Sequence, residues 1–370
     1  MPSTRPSLRR RLPLLLGASL LWLGLACGQP ATREGPAATS PPASTPAGSP
    51  TPAATPTPAP LATVRLGIPQ GLALPLILAV ERGYFQEEGI DPQRVEFASA
   101  ADAMPPLSTG ELDAGIGSYS AAFFNALARG IRLDLVLDAA HLEAGSAGLP
   151  LMVPNGSAVA AGADLTALRG QRVGQPARGV ITEWALDRML AEAGLGLDDT
   201  ESVFMPFPDM LGALATGQLQ GAVLPEPFAT LSEMRGVATR ARETGDYLPG
   251  AQLAVVLFSD RFARERQDAA DRWAVAYLRG GRDYMDAIEN GRDREAVMAL
   301  LARASNLDPQ VLDRMGHYPM ARDGRINLDT TLAMLDWMVQ RGYVGQKPDV
   351  ASLVDPRFAE YARQTLDSRR

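Results

Sequence analysis

The sequence has little of what most catalytic and metal sites require. Its 370 residues include one cysteine, Cys27, and two histidines, His141 and His317, which lie far apart. A single cysteine excludes an intramolecular disulfide and a cysteine-based metal site. The sequence also contains no phosphate-binding loop and no serine or cysteine arranged with a histidine partner. We therefore expect a protein that is not an enzyme and that holds no metal and no cofactor.

Positive charge is also scarce. The chain has 35 lysines and arginines against 42 aspartates and glutamates, which gives a net charge of −7. The first 60 residues hold five arginines and one glutamate, so the remainder is more acidic than the whole. An acidic chain without a basic run binds nucleic acid poorly. We expect no nucleic-acid partner.

The N-terminus predicts export. Three arginines at positions 9–11 precede an apolar run over 12–26, which is too short for a stable membrane span and is typical of a secretory signal. Cys27 stands at its end, which resembles a bacterial lipoprotein signal whose thiol is lipidated. Gly24 stands where that motif prefers leucine, so conventional cleavage near Ala26 is the alternative. We predict a signal peptide over 1–27, lipidation of Cys27, and a protein anchored to the outer face of the cytoplasmic membrane.

Residues 28–61 form a segment of biased composition. They are almost entirely proline, alanine, threonine, serine and glycine. Such a segment buries too little apolar area to offset the entropy of ordering the chain. We predict a disordered tether that holds a folded module near the membrane.

Two stretches of the folded module share one pattern. Thr109-Gly-Glu-Leu and Thr216-Gly-Gln-Leu each follow a predicted helix, and Gly110 and Gly217 suit a left-handed helix C-cap. A short buried strand follows in each copy, and it opens into a loop at 117–120 or 225–228. Because ligands in open α/β sheets bind beyond the carboxyl ends of strands, these loops are expected to face each other across a cleft.

The alternation of strands and helices predicts the fold class. It indicates an α/β protein with two lobes, whose mixed, mostly parallel sheets are flanked by helices. We assign residues 62–150 and about 255–370 to lobe 1 and residues 151–254 to lobe 2. From Arg261 onward we expect a largely helical tail that is broken at Gly280-Gly281, Asp308-Pro309 and Gly342.

Four segments resemble a known family. They are Glu81-Arg-Gly-Tyr-Phe-Gln-Glu-Glu-Gly-Ile90, Thr109-Gly-Glu-Leu-Asp-Ala114, Asp164-Leu-Thr-Ala-Leu-Arg-Gly-Gln-Arg-Val-Gly174 and Leu224-Pro-Glu-Pro-Phe228. They are similar to segments of the ABC-importer solute-binding proteins for nitrate, alkanesulfonates, taurine and pyrimidine precursors of thiamine. The resemblance implies a type II periplasmic-binding-protein-like fold, with the ligand cleft between lobes that close by hinge bending. It also implies a monomer whose partners are a small-molecule solute and an ABC permease and ATPase.

The loops after the predicted strands supply the candidate ligand-binding residues. Residues 117–120 and 177–179 each precede a predicted helix, whose free N–H groups and positive end suit a sulfonate, nitrate, carboxylate or carbonyl oxygen. Arg178 either adds positive charge or is merely solvated. The predicted ligand-binding residues are Gln70, Gly71, Gly117, Ser118, Tyr119, Ser120, Gln175, Arg178, Gly179, Thr182, Glu226 and Phe228.

The solute itself is predicted from Glu226 and nearby aromatic residues. Glu226 lies between two prolines, and a carboxylate fixed towards the cleft favours a solute with an amine or ring N–H over an inorganic anion. Tyr119, Trp184, Phe207 and Phe228 either stack on a planar ring or belong to the core. We rank an amino-sulfonate or a nitrogen heterocycle, such as a pyrimidine-type vitamin precursor, above nitrate. The ranking fails if Glu226 instead caps its own following helix.

Three functions fit these observations. A solute-binding lipoprotein that delivers its solute to an ABC importer fits the signal, the tether and the two-lobed module together. A receptor module that presents a solute to a membrane sensor fits the same features. An enzyme on this fold is the third reading, but export and the absence of catalytic motifs argue against it.

Overall fold

The structure is a computed structural model that describes residues 61–69, 73–97, 102–159 and 164–369. Cys27, Gln70 and Gly71 lie outside the described residues. The strands are β1 (Ala62–Pro69), β2 (Ile90–Phe97), β3 (Ala114–Ser118), β4 (Leu133–His141), β5 (Pro150–Pro154), β6 (Arg172–Gln175), β7 (Glu201–Phe204), β8 (Gly221–Val223), β9 (Ala238–Glu243) and β10 (Gln252–Ser259).

Helices connect and cover these strands. The α-helices are α1 (Leu74–Glu81), α2 (Tyr84–Glu87), α3 (Met104–Ser108), α4 (Ala121–Ala128), α5 (Ile181–Glu192), α6 (Phe207–Ala215), α7 (Phe228–Met234), α8 (Thr244–Tyr247), α9 (Asp260–Glu265), α10 (Gln267–Asn290), α11 (Arg294–Ser305), α12 (Pro309–Arg314), α13 (Leu328–Gln340) and α14 (Arg357–Ser368). Among the described helices, none is both long enough and apolar enough to span a membrane.

The strands form two five-stranded sheets with related orders, β2-β1-β3-β10-β4 and β7-β6-β8-β5-β9. In the first sheet, β1 pairs in parallel with β2 and β3, whereas β10 pairs antiparallel with β3 and β4. In the second, β6 pairs in parallel with β7 and β8, whereas β5 pairs antiparallel with β8 and β9. The fold is therefore α/β with two mixed sheets, in each of which one strand runs against the others.

The strand that runs against the others is the one that arrives from the other sheet. The chain leaves the first sheet at the carboxyl end of β4 and enters the second as β5; it returns from the carboxyl end of β9 as β10. Hence the carboxyl ends of the parallel strands of both sheets lie on the side where the chain crosses. The loops after β3, β6 and β8 start on that side, where ligands of open α/β sheets bind.

The repeated Thr-Gly pattern adopts the predicted conformation. Gly110 follows α3 with a φ of 75°, and Gly217 follows α6 with a φ of 70°. Both glycines therefore take the left-handed conformation that ends a helix. The strands that follow, β3 and β8, occupy equivalent places in the two sheets, each beside the strand that crosses between them.

The predicted break at Gly280-Gly281 is wrong. Helix α10 runs unbroken through both glycines. A Cβ at Gly280 would lie 2.5 Å from the Cβ of Ala79 in α1, and a Cβ at Gly281 would meet the sulfur of Met320. The two glycines therefore allow neighbouring segments to approach the helix closely, a requirement that does not show in the local sequence.

The hydrophobic core is shared between the two lobes. One cluster of buried residues contains Leu137 and Val256 of the first sheet together with Val173 of the second. A smaller cluster in the second lobe includes Met210 of α6 and Ala229 of α7. The lobes are thus packed against each other in this structure.

The close approach of α1 and α10 can be tested by a substitution that adds a single methyl group to α10. Gly280→Ala is expected to lower the free energy of unfolding by about 1–3 kcal/mol, because the added Cβ overpacks the contact with Ala79. Gly212→Ala in α6 is the matched control, since a Cβ there meets nothing within 4 Å. It should stabilise the protein by about 0.5–1 kcal/mol, because alanine suits a helix better than glycine. Urea denaturation measures both, and equal effects of the two variants would contradict the packing described.

Candidate functional site

The loops after β3 and β6 meet between the lobes. The backbone N–H of Ala121, at the start of α4, donates to the carbonyl oxygen of Gly179 at 2.7 Å. Ser120 and Val180 form an isolated antiparallel bridge at the same place. Two of the loops predicted to form the site therefore touch, and the structure is closed at this point.

Gly179 is the residue around which this contact is built. Its φ is +64°, and a Cβ there would lie 2.5 Å from the Cβ of Ala121 and 3.2 Å from Cδ2 of Tyr343. Its own N–H donates to Oε2 of Glu183 at 2.6 Å. A residue with a side chain would be strained at this φ and would also push the lobes apart.

Gln175 and Thr182 lie just behind this contact. Gln175 ends β6 and is fully buried, and Thr182 is buried in the first turn of α5. The hydroxyl of Thr182 donates to Oε1 of Gln175 at 3.0 Å. Nε2 of Gln175 has no hydrogen-bond partner among the described residues, although it is buried. Because an unpaired buried amide is costly, an acceptor from outside the chain would be bound well here.

Ser118 and Ser120 have different surroundings. Ser118 ends β3 and is half-buried. Ser120 is the N-cap of α4, where its hydroxyl accepts from the N–H of Phe123 at 3.1 Å. The N–H groups of Ala121 and Phe123 are thus both engaged within the protein, as is that of Gly179. The oxyanion site predicted at these two helix starts is therefore largely taken up by the protein's own acceptors in this closed structure.

Tyr119 is a core residue of the first lobe. It is 2% exposed, and its ring stacks on Phe124 with centroids 5.4 Å apart. In the described part of the chain, its hydroxyl makes no hydrogen bond of good geometry. Burial raises the pKa of this phenol, an effect that the nearby Thr331 hydroxyl opposes. Tyr119 is therefore a second buried polar group with unused hydrogen-bonding capacity.

Three other predicted residues are not gathered at the contact. Gly117 lies inside β3 rather than in a loop, and a Cβ there would collide with Leu257 of β10. Arg178 is exposed, and its guanidinium lies 5.2 Å from the ring centroid of Phe204. Phe228 begins α7, and its ring stacks on that of Phe207 at 5.7 Å.

Glu226 does not present a free carboxylate. Its side chain is fully buried, and Oε1 pairs with Arg240 at 2.5 Å. Oε2 accepts from the N–H of Thr230 at 3.1 Å in the first turn of α7, and Oε1 also accepts from the N–H of Gly316. Glu226 therefore caps its own following helix, which was the alternative left open above. The argument from Glu226 for an amine-bearing solute loses its basis.

Tyr318 ties the turn that carries Glu226 to the crossing between the lobes. Its hydroxyl accepts from the N–H of Glu226 at 3.0 Å and donates to the carbonyl oxygen of Gly148 at 2.6 Å. The segment is packed so closely that a Cβ at Gly316 would collide with the carbonyl oxygen of Ala147. Tyr318 thus links the turn after β8 to the segment that crosses between β4 and β5.

A buried carboxylate links the strands that cross. Asp138 of β4 is fully buried; it pairs with His141 at 2.7 Å and accepts from the N–H of Ala321 at 2.6 Å and from the amide of Gln252 in β10. Oε1 of Gln252 accepts from the N–H of Asn327 at 2.9 Å. Burial disfavours the imidazolium of His141, but the hydrogen bond and charge of Asp138 outweigh it and raise the pKa.

Sequence reasoning missed the residues that cover the contact. Nε1 of Trp337 in α13 donates to Asp187 of α5 at 2.9 Å, and the hydroxyl of Tyr343 donates to Glu183 at 3.2 Å. Burial raises the pKa of Glu183, an effect opposed by the Gly179 N–H and the Tyr343 hydroxyl. No local pattern could have shown these pairs, because their partners are about 150 positions apart in the chain.

No acidic or histidine cluster is present in the described part of the chain that could hold a metal ion. What this region offers a ligand is hydrogen bonding, from the unpaired amide of Gln175 in lobe 2 and the half-buried hydroxyl of Ser118 in lobe 1. These groups lie on both lobes, so a bound solute would contact the two together.

The internal role of Glu226 predicts the effect of neutralising it. Glu226→Gln is expected to lower the free energy of unfolding by about 1.5–3 kcal/mol, because a charged hydrogen bond to Arg240 is lost in a buried place. Arg240 keeps Glu233 and Glu243 as partners, which limits the loss. Binding of any solute should not change, because the carboxylate does not face it. A loss of binding with unchanged urea denaturation would contradict this assignment.

The two histidines predict two separate titrations. Burial and the nearby Arg294 lower the pKa of His317 to about 4, whereas the pKa of His141 is raised. Neutral His317 therefore stabilises the folded protein above pH 6.5, and this stabilisation is lost as the pH falls towards 4. Charged His141 stabilises the folded protein below pH 6.5, and this stabilisation is lost as the pH rises through the pKa of His141 in the folded state. Proton NMR should show one histidine titrating on each side of 6.5, and both near 6.5 in urea. Two native titrations at 6.5 would refute this.

Solved structures show what the chain is similar to. The alkanesulfonate-binding protein SsuA from Xanthomonas axonopodis pv. citri, bound to MOPS, is 21% identical with a TM-score of 0.65, over 80% of this chain and 99% of that one. The periplasmic nitrate-binding protein NrtA from Synechocystis PCC 6803 is 15% identical with a TM-score of 0.67, over 83% of this chain and 89% of that one. These likenesses confirm the predicted two-lobed fold.

The same fold also occurs in the desulfurization enzyme DSZB. A mutant of DSZB in complex with biphenyl-2-sulfinic acid is 16% identical with a TM-score of 0.61, over 82% of this chain and 99% of that one. The fold alone therefore does not separate binding proteins from enzymes. A comparison with curated proteins gives no match.

The family follows from the sequence match. The model of the NMT1-like family matches residues 57–301, which include both sheets and most of the helices that cover them. The chain belongs to the NMT1-like family.

Proposed function

We propose that the protein is an extracytoplasmic solute-binding lipoprotein that captures a small organic solute and delivers it to an ABC permease and its ATPase. The observation that carries the proposal is the buried amide of Gln175, whose Nε2 is unpaired within the described residues, beside the contact between Ala121 and Gly179. A binding group enclosed between two lobes suits capture and release by hinge motion. The family and the two-lobed relatives support the same function.

The surroundings of Gln175 point to a solute rich in hydrogen-bond acceptors. Its Nε2 is a donor, and the hydroxyl of Ser118 can donate or accept, whereas the proton of the Thr182 hydroxyl is already donated to Gln175. Glu226, the carboxylate that favoured an amine, is bound to Arg240. We therefore propose an organic sulfonate or a similar oxyanion and place a nitrogen heterocycle second. The ligands named for the similar structures, an alkanesulfonate and nitrate, support this class.

The N-terminal segments supply the location in this proposal. Cys27 is the lipidated residue, residues 28–61 are the tether, and the module stands outside the cytoplasmic membrane as a monomer. Bacterial lipoproteins carry more than one acyl chain, which gives stable anchoring. Residues 62–150 and about 255–370 make up lobe 1, and the residues between them make up lobe 2.

The proposal includes no catalytic step. In the part of the chain that the structure describes, His141 is paired with Asp138, and His317 is hydrogen-bonded to Tyr284 at 3.0 Å. The single cysteine, Cys27, is assigned to the lipid anchor. The proposal therefore gives neither the histidines nor the cysteine a role in the site between the lobes.

A thermal-shift screen tests the solute class. The purified protein is heated with MOPS, taurine, ethanesulfonate, nitrate or a hydroxymethylpyrimidine. A solute that binds the native state raises the melting temperature as its concentration exceeds the dissociation constant. Sulfonates are expected to stabilise the protein most. Stabilisation by the pyrimidine alone would refute the oxyanion class, and stabilisation by nitrate alone would refute an organic sulfonate. Stabilisation by none of a broad solute panel would refute the function.

The role of Gln175 is tested with a matched pair of glutamines. Gln175→Met is expected to weaken binding of the best sulfonate by about 10- to 100-fold, because a hydrogen bond to a charged acceptor is lost. Gln220→Met is the control, since both amide atoms of Gln220 are bonded within the protein, to Arg172 and Gly217. The control should lower stability and leave affinity unchanged. Titration calorimetry measures both, and an unchanged affinity in Gln175→Met would remove Gln175 from the site.

A further inference from the structure

A segment near the C-terminus lies across both lobes. It consists of residues 327–345, and we name it the strap; it contains α13 and the turn after it. The strap is fixed to lobe 1 at both ends. The N–H of Asn327 donates to Gln252 of β10 at 2.9 Å, and the amide of Asn125 in α4 donates to the carbonyl oxygen of Tyr343 at 2.8 Å. The strap therefore moves with the first sheet.

The same strap reaches the second lobe through side chains. The indole N–H of Trp337 donates to Asp187 at 2.9 Å, and the hydroxyl of Tyr343 donates to Glu183 at 3.2 Å. Both acceptors belong to α5, which follows the loop of the candidate site. These bonds are partly shielded from water and have carboxylate acceptors, so each is stronger than an exposed neutral bond.

A third contact adds less. Arg341 pairs with Asp198 at 3.1 Å, but the side chain of Asp198 is 87% exposed. An ion pair with so exposed a partner contributes little. Trp337 and Tyr343 therefore supply the stronger of these polar contacts between the strap and lobe 2.

The strap and the direct contact between the lobes converge on one residue. Tyr343 packs on Gly179 so closely that a Cβ added to this glycine would lie 3.2 Å from the tyrosine ring. The carbonyl oxygen of Gly179 accepts a hydrogen bond from the N–H of Ala121. The loop of lobe 2 is thus held by α4 of lobe 1 and by the strap together. Separation of the lobes at this loop would break both sets of contacts.

We propose that the strap is a latch: Trp337 and Tyr343 set the ratio of closed to open lobes, and through it the rate at which a solute leaves. The effect on the ratio is independent of any solute. The effect on release rests on the proposed function. The start of the strap bonds to Gly250 in the crossing segment 244–251, through Asn327 and Thr330. The bonds of Trp337 and Tyr343 to α5 are separate from these, so they can break without interrupting either crossing.

The test measures the lobes without a solute. Spin labels are placed on Glu111→Cys and Gln218→Cys, exposed residues at equivalent positions of the two repeat copies, in the full chain carrying Cys27→Ser. Pulsed electron paramagnetic resonance then gives the distribution of distances between the two labels, one on each lobe. We expect Trp337→Phe with Tyr343→Phe to lower the closed-to-open ratio by about tenfold, because each lost bond is worth a factor of a few. An additional open distance should appear.

Matched controls separate the latch from a general loosening. Tyr361→Phe with Arg363→Gln also removes a tyrosine hydroxyl, together with a guanidinium, from a C-terminal helix, α14, and should leave the distances unchanged. A distribution that stays the same in the double variant overturns the proposal, and so does an equal shift in the control. If the double variant does not fold, Tyr343→Phe alone decides, since it removes a single oxygen and should still produce the open distance.

Solute release is measured separately, with MOPS as the probe. If MOPS binds, it should leave the double variant faster than the wild type by a similar factor, and an equal release rate would refute the effect on release. A failure of MOPS to bind would count against the proposed solute class. The solute-free distances would still decide whether the strap is a latch.

Discussion

A buried negative charge, the carboxylate of Asp138, holds together the places where the chain passes between the lobes. A carboxylate without water is very costly unless it is paired and hydrogen-bonded, so its partners must stay in position. Those partners are His141 at the end of β4, Gln252 at the start of β10, and the N–H of Ala321 ahead of the strap. One charge thereby aligns the outgoing strand, the returning strand and the segment from which the strap begins. The loops of the candidate site are positioned on this frame.

The frame explains why the two lobes meet where they do. Both crossing strands enter their sheets from the side where the parallel strands end. The loops after β3 and β6 start on that side and therefore face each other. Gly179 then lets the backbones approach to hydrogen-bonding distance. The buried groups nearest this contact, Gln175 and Thr182, are polar, although their neighbours in the lobe are apolar. Polar groups kept in such a place fit a binding role better than a packing role.

The sequence predicted the features whose cause is local. The glycines of the repeat end their helices because a left-handed residue is needed at that position, whatever the rest of the chain does. Gly280 was misjudged because its cause is Ala79 of another helix. Glu226 was misjudged for the same kind of reason, since Arg240 and Gly316 reach it only in the folded chain. The residues of the strap gave no signal at all, because a tryptophan and a tyrosine in an amphipathic tail look like ordinary core residues.

The place of the crossing strands within their sheets has a mechanical consequence. β10 lies between β3 and β4, and β5 lies between β8 and β9, so each is hydrogen-bonded on both edges. A strand that is hydrogen-bonded on both edges cannot bend or slide without breaking the hydrogen bonds to both neighbours. A change in the angle between the lobes must therefore occur in the short segments outside the sheets. Any rotation of one lobe against the other must then turn about an axis through those segments. Side chains at the strand ends can consequently be substituted without displacing that axis. The specificity for a solute can therefore change while the rotation of the lobes stays the same.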